Sequence, residues 1–468
     1  MLGSSPSGAA LGLYLSGGAV VGILLLHFIW VAGRRLIMGP ETLFLAMAAG
    51  TFACTTYYSM HEGSAAGVVY STFVGLGILC FGLGTIVATI LLSFDHRAEL
   101  AAFRSRRWCD DLMGIRRSYA LAVGFIASAV TVVYFYQVGA FVPLAALRAL
   151  LTEGANEMTL QYNELRAATT PVTGAYLAPG YVSQFRNVLL PLVCILFLMQ
   201  NRIGSAHRNR GWIAFFAIMA TAATVGTGAR FGLAMFGALF LLFGIAPHVW
   251  PANLRAGQIM AVGLVLFISL TGLTLMMGPR GQAAFDSVVW APYQVLARVF
   301  ASPSLERLQV FERFLAFQPP QLGMNTVNAL STVLPGPSEY TLPNQLHELL
   351  YDSPFGDVGL DVWGTLWYDW QWGGPLIAFA LGMVYHAFYV GILRGRKTVI
   401  RITALTFAGF VLGLATDLQV LLLRGFPVLV LFWIGAEVLG SVPRGGDLRA
   451  RPALDVTRSG TVAARASD

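Results

Sequence analysis

The chain has 468 residues, of which 56% are hydrophobic and only 11% charged, with a formal net charge of +7. A water-soluble globular protein carries roughly a quarter charged residues, and a disordered chain is poor in apolar ones, so both classes are excluded. The apolar residues fall in blocks of about 18–25, the length a helix needs to cross about 30 Å of hydrocarbon, and the short alternating segments of a membrane β-barrel are missing.

The expected fold class is therefore an all-α polytopic membrane protein, with about 11 transmembrane helices in one membrane domain over 1–442. In chain order the expected spans are 11–33, 41–60, 66–94, 118–140, 187–203, 211–229, 231–249, 257–277, 372–393, 402–421 and 426–442. Met1 to Leu11 holds no basic residue ahead of its apolar run, so a cleaved signal peptide is not expected. The connection 95–117 carries Arg97, Arg104, Arg106, Arg107, Arg116 and Arg117 and is assigned to the cytoplasm by the positive-inside rule. Alternation from there puts 21 of the 30 basic residues inside and 9 outside, with the N-terminus outside and the C-terminus inside. The basic excess is thus a property of topology, and no nucleic-acid partner is expected. All basic residues but Lys397 are arginines. The tail 443–468 is polar, arginine-rich and expected to be a disordered cytoplasmic extension.

Two connections, 141–186 and 278–371, are too long for turns and are read as outer, periplasmic loops containing short amphipathic helices. In the first, Leu144, Leu147 and Leu151 recur on one helical face that suits the membrane interface. In the second, Ser302–Pro303 reads as an N-cap with proline at the first helical position. Leu308, Phe311 and Leu315 then line one face, and Pro319–Pro320 ends the helix.

Chemistry-bearing residues gather outside the lipid. Gly226-Thr227-Gly228-Ala229-Arg230 is a tight turn of small residues ending in an arginine. Glycines let a ligand approach the backbone, and the guanidinium fork matches phosphate oxygens; the plain alternative is an arginine snorkelling from a hairpin turn. Arg166, Arg186, Arg280, Arg298 and Arg307 also lie in the outer segments. For Arg307 and Arg313, the adjacent Glu306 and Glu312 are the expected partners, whereas Arg280 and Arg298 have no acid beside them. The stretch 339–361 holds Glu339, His347, Glu348, Asp352, Asp357 and Asp361, suited either to acid–base work or to a solvated acidic loop, with His347 the leading candidate. Trp363, Trp367, Tyr368, Trp370 and Trp372 read as an interfacial aromatic belt, with sugar stacking as the alternative. Within spans, His386, Asp417 and Glu437 are costly in lipid and are candidates for a proton path. Cys54, Cys80, Cys109 and Cys194 form neither a disulfide framework nor a metal-site spacing. No phosphate-binding loop, dinucleotide fingerprint or HExxH run is found.

About eleven spans, an arginine after small residues between two mid-chain spans and one large outer loop together resemble the O-antigen polymerases (oligosaccharide repeat-unit polymerases) and the related O-antigen ligases. Thr227-Gly228-Ala229-Arg230-Phe231-Gly232 resembles that family's Ser/Thr-Gly-Ser-Arg-Gly run, with Ala229 in place of serine. Arg298-Val299-Phe300-Ala301-Ser302-Pro303 resembles its arginine-plus-proline element. Leu322-Gly323, Pro335-Gly336, Pro343-Asn344, Phe355-Gly356-Asp357-Val358-Gly359 and Asp369-Trp370-Gln371-Trp372-Gly373-Gly374-Pro375 resemble the loop's exit into the next span. The resemblance covers roughly residues 160–395.

What it implies is a metal-independent, cofactor-free, inverting glycosyltransferase of the bacterial inner membrane with a periplasmic active face. Such enzymes join lipid-linked oligosaccharide repeat units, with undecaprenyl pyrophosphate on donor and acceptor, into a surface polysaccharide. Arg230, Arg298, Arg280 and Arg166 would hold the pyrophosphate, and the base would be His347, with Glu348, Asp357 or Glu339 behind it. Membrane lipid, a chain-length regulator and a flippase are the further partners expected. The alternatives are the ligase, which hands finished glycan to a lipid core, and a proton-coupled transporter or flippase of lipid-linked sugars working through Asp417, Glu437 and His386.

Overall fold

The computed structural model describes residues 6–31, 39–106, 117–168, 179–203, 210–228, 256–277, 290–325, 342–352 and 358–395, with isolated positions near 237, 327 and 431–435. Among these residues the chain is all-helical. The expected spans 231–249, 402–421 and 426–442 lie outside the described residues, those isolated positions aside.

The helices are α1 (Pro6–Leu26, continued by a π turn His27–Val31), α2 (Pro40–Glu62), α3 (Ala65–Leu91), α4 (His96–Ser105), α5 (Arg117–Val138), α6 (Val142–Thr152) and α7 (Ala155–Ala168). They are followed by α8 (Pro179–Gln184), a π turn Phe185–Leu189, α9 (Leu190–Ile203), α10 (Arg210–Val225) and α11 (Ala256–Met277). Last come α12 (Trp290–Arg313), α13 (Leu342–Tyr351), α14 (Val362–Trp370) and α15 (Gly374–Arg394). Among the described residues, three stretches are long and apolar enough to cross a membrane: α3, Ser118–Thr152 across α5 and α6, and Val362–Arg394 across α14 and α15. The 27 residues of α3 extend about 40 Å at 1.5 Å per residue, more than the hydrocarbon core requires.

α3 is the hub, packing against α1, α2, α12 and α15. Small residues make this possible. A side chain at Gly84 would collide with the Phe379 carbonyl, and one at Gly382 with the Phe81 carbonyl. The two parallel backbones therefore touch, the packing that glycine permits between membrane helices. Gly77 gives up its side-chain space to the Trp363 ring in the same way. At the C-terminal ends of α3 and α15, arginines close the bundle. Arg106 Nη1 donates to the carbonyls of Leu393 (2.9 Å), Arg394 (3.0 Å) and Gly395 (2.9 Å). Arg394 Nε pairs with Glu99 Oε1 at 2.7 Å, and its Nη2 donates to Leu92 O at 2.9 Å. Cations on orphan C-terminal carbonyls both satisfy them and complement the helix dipole.

The described parts of both long connections are largely helical. On α6, Val142, Ala146 and Ala149 face inward, while Leu144, Leu147 and Leu151 are exposed, Leu151 at 79%. The leucine stripe is thus the outward face, free for lipid. In the second connection one expectation fails. α12 runs unbroken through Ser302 and Pro303, so Ser302 is not an N-cap and Pro303 is an interior helix residue. The proline leaves the Val299 carbonyl without its usual intrahelical donor, and the helix continues on both sides of it. Its second half follows the sequence: Leu308, Phe311 and Leu315 are all buried, and the helix gives way to a 3₁₀ turn at Leu315–Phe317 ahead of Pro319.

Candidate functional site

Two groups of polar side chains stand on α12 and on the α5–α10 half of the molecule, and α11 packs against both α12 and α7.

The first group joins α12 to α13, α14 and α3. Arg307 Nη1 lies 3.6 Å from Asp361 Oδ2, a largely buried pair. Asp361 Oδ1 accepts from Tyr70 Oη at 2.8 Å and from the Gly364 N–H at 2.6 Å, the latter as the N-cap of α14. This corrects two expectations. Arg307 reaches Asp361 rather than the neighbouring Glu306, and Asp361 is a buried structural acid rather than part of a solvated loop. The reason is helical geometry: adjacent residues on a helix diverge by 100°, so Glu306 cannot share Arg307's inward face. Glu306 Oε1 instead accepts from Tyr351 Oη at 2.9 Å. One turn before Tyr351, His347 is 8% exposed, with its ring 4.9 Å from the tyrosine ring, while Glu348 is exposed. The expected base is thus buried against Tyr351 and its neighbour is exposed. The tryptophans divide as well. Trp363 and Trp367 are core residues, Trp367 against Phe73 and Phe311 with its Nε1 donating to Leu315 O at 3.2 Å. Trp370 and Trp372 are exposed.

The second group is built around Arg186. The π turn Phe185–Leu189 packs against α5, α9 and α10, and this widened turn carries Arg186 inward to 7% exposure. Its guanidinium lies 3.8 Å above the Tyr134 ring, itself fully buried. From Tyr134 a line of contacts continues through Phe135 (5.2 Å) and Phe141 (5.5 Å) to the turn at Gly226–Gly228. Val142 N–H donates to Gly226 O at 2.9 Å, and Tyr162 Oη donates to Gly228 O. The glycines of this turn are required for packing. A Cβ at Gly226 would collide with Phe135 and Phe141, and one at Gly228, where φ is +68°, would lie 2.8 Å from Tyr162 Oη. The space expected to admit a ligand to the backbone is therefore filled by aromatic side chains.

Tyr162 also heads a small apolar cluster with Val142, Ala146, Met158 and Leu273, with Leu165 and Met276 against it. One turn beyond Tyr162, Arg166 is exposed on α7. At this cluster the chain leaves the turn two residues before Arg230, and α11 ends three residues before Arg280. Arg230, Arg280, Glu339 and Asp357 themselves lie outside the described residues, as do Asp417 and Glu437; Arg298 is described only as backbone of α12. The structure thus brings the Arg166 helix to the Arg186–Tyr134 pair through the turn. It places His347 separately, on the α12 side. Arg186 belongs to the outer arginines of the sequence but not to the set assigned to a ligand. Its burial depends on the π turn, for which the sequence Gln184-Phe185-Arg186-Asn187 gives no period signal.

Comparison with protein-family models, curated proteins and solved structures returns no match.

Proposed function

We propose that this chain is a multi-pass membrane glycosyltransferase that polymerises undecaprenyl-pyrophosphate-linked repeat units on the outer face of the membrane, without metal or cofactor. One observation carries the reading: the guanidinium of Arg186 is buried over Tyr134, whose ring connects through Phe135 and Phe141 to the 226–228 turn that Tyr162 of α7 holds. A desolvated guanidinium with a fixed plane is a preorganised counter-charge for a diphosphate, and such donors act most strongly where water is excluded.

In this reading the acceptor sugar hydroxyl attacks the anomeric carbon of the donor. The bond from that carbon to the pyrophosphate oxygen breaks, and its electron pair leaves with the undecaprenyl pyrophosphate. Arg186 and Arg166, with Arg230, Arg280 and Arg298, meet the charge that builds on the diphosphate. His347, beside Tyr351 on the α12 side and apart from Arg186, leads the set from which the acceptor of the hydroxyl proton is drawn, with Glu348, Asp357 and Glu339 behind it. The acceptor is a second lipid-linked unit, so both substrates arrive from the bilayer.

The test is made in cells lacking the gene and complemented with variants. Arg186→Ala, Arg230→Ala and Arg298→Ala are each expected to leave the protein inserted and the surface glycan reduced to single repeats. Normal long chains in all three would overturn the reading. Accumulated lipid-linked polymer, rather than single repeats, would assign the ligase instead.

A further inference from the structure

At the bundle end where α4 and Arg394 lie, the interior between α1, α2, α3 and α15 contains titratable groups. Glu41, in the first turn of α2, is 2% exposed, and His386 on α15 is fully buried. His386 Nδ1 is 3.3 Å from Glu41 Oε1, and its Nε2 is 3.1 Å from Thr89 Oγ1. The Thr89 hydroxyl donates its one proton to Thr85 O at 2.8 Å, so toward His386 it can only accept. Nε2 therefore carries a hydrogen.

Nδ1 then faces the carboxyl in one of two arrangements. A neutral imidazole accepts from a carboxylic acid, or an imidazolium donates to a carboxylate. Each holds one proton between the two residues, and each is neutral overall. Losing that proton leaves an uncompensated carboxylate in the interior, which is costly. Glu41 Oε2 has no hydrogen-bond partner among the described residues. A pair kept only for structure needs all its oxygens satisfied to offset the cost of burial; this one leaves an acceptor open.

Further titratable groups surround the pair. His27, from the π turn after α1, faces the same space. Its Nδ1 is 3.1 Å from Thr85 Oγ1, whose own proton goes to Gly82 O at 2.7 Å, and its Nε2 is 3.0 Å from Thr42 Oγ1. Nδ1 therefore donates, and Thr42 serves the other nitrogen of a neutral ring. From α4, His96 stacks on Tyr389, and the Phe94 ring stands edge-on to both His96 (5.7 Å) and His386 (5.1 Å). The Glu99–Arg394 pair lies beyond, at the rim. Tyr385 is the remaining titratable neighbour on α15, packed against Phe44 and Phe81.

We propose that Glu41 and His386 form a proton-binding site, holding one exchangeable proton that enters from the α4 end past His96 and Phe94. Release passes that proton to water at the rim and leaves a Glu41 carboxylate beside a neutral His386; uptake reverses it. The site is at the opposite end of α3 from the Arg307–Asp361 pair and does not depend on the glycan reading.

The test uses the full chain in phosphatidylcholine vesicles. Isotope-edited infrared difference spectra, with labelled glutamate and histidine, are taken between acidic and alkaline buffers in water and in deuterium oxide, alongside a count of protons released. The expected result is one deuterium-exchangeable group per chain, shared between a glutamate and a histidine, lost in both Glu41→Gln and His386→Gln. Asn163→Gln, a non-titrating exposed position on α7, is expected to leave the count unchanged. An equal proton count in wild type and both variants would overturn the proposal, as would a wild-type spectrum with no exchangeable glutamate–histidine proton wherever the fold is intact. The wild-type spectrum decides the matter even where a variant fails to fold. No glycan is measured, so failure here is distinct from failure of the polymerisation test.

Discussion

A guanidinium at 7% exposure has lost most of its water, and Tyr134 replaces part of it with the negative face of its ring. A cation over an aromatic ring contributes about 2 kcal/mol when desolvated. Tyr134→Phe, which keeps the ring, is therefore expected to retain polymer formation, whereas Tyr134→Leu is expected to lower it about tenfold or more, measured as glycan chain length in complemented cells. Asp361 has a different role. It caps α14, accepts from Tyr70 and faces Arg307, so Asp361→Ala strands a buried cation and opens a helix end. Loss of one partner of a buried pair costs about 3–5 kcal/mol, readable as a large fall in thermal stability of the detergent-solubilised protein. Tyr70→Phe, which removes one hydrogen bond, is expected to cost about 1–3 kcal/mol. Neither Arg307–Asp361 nor Glu41–His386 is legible in the sequence. Their partners are separated by 54 and 345 residues, and only the packing of α2, α12, α14 and α15 around α3 brings them together. Arg166 and His347 are visible as candidates by residue type alone; that one is exposed and the other buried is settled by the helices that carry them.

The helices themselves are far more legible, because apolar blocks of this length have few other solutions in lipid. The inward face of α12 was evident from Leu308, Phe311 and Leu315. Its start was not, since Ser–Pro is a good N-cap signal that the surrounding helix overrides. The glycines of α3 and α15 show a similar limit. Composition marks them as small, but only the fold shows that Gly84 and Gly382 are contact points between backbones while Gly391 faces open space. Gly382→Leu is expected to force α3 and α15 apart and destabilise the protein by about 1–3 kcal/mol or more. Gly391→Ala meets nothing within 4 Å and is expected to be neutral or stabilising by up to about 1 kcal/mol through helix propensity. Unfolding midpoints of the two variants in one detergent compare them directly.

The arginines that close α3 and α15 lie at one end of the bundle, and the α12–α14 cluster lies at the other. Together with the positive-inside rule, this polarity supports the α4 end as cytoplasmic and the α12 end as external. In a cysteine-free background, Phe317→Cys is expected to react with an impermeant maleimide in intact cells, and Ser105→Cys only after the membrane is opened; both positions are exposed. The reverse pattern would turn the arginines of α7 and α12 to the cytosol and remove the basis for transfer on the outer face. The most direct measurement is reconstitution. The purified chain in vesicles is supplied with lipid-linked single repeats from gene-deleted cells, with a chelator and no nucleotide sugar. The account predicts a ladder of polymer with release of undecaprenyl pyrophosphate, abolished by Arg186→Ala. Movement of the lipid-linked repeats across the bilayer with no new glycosidic bond would contradict it.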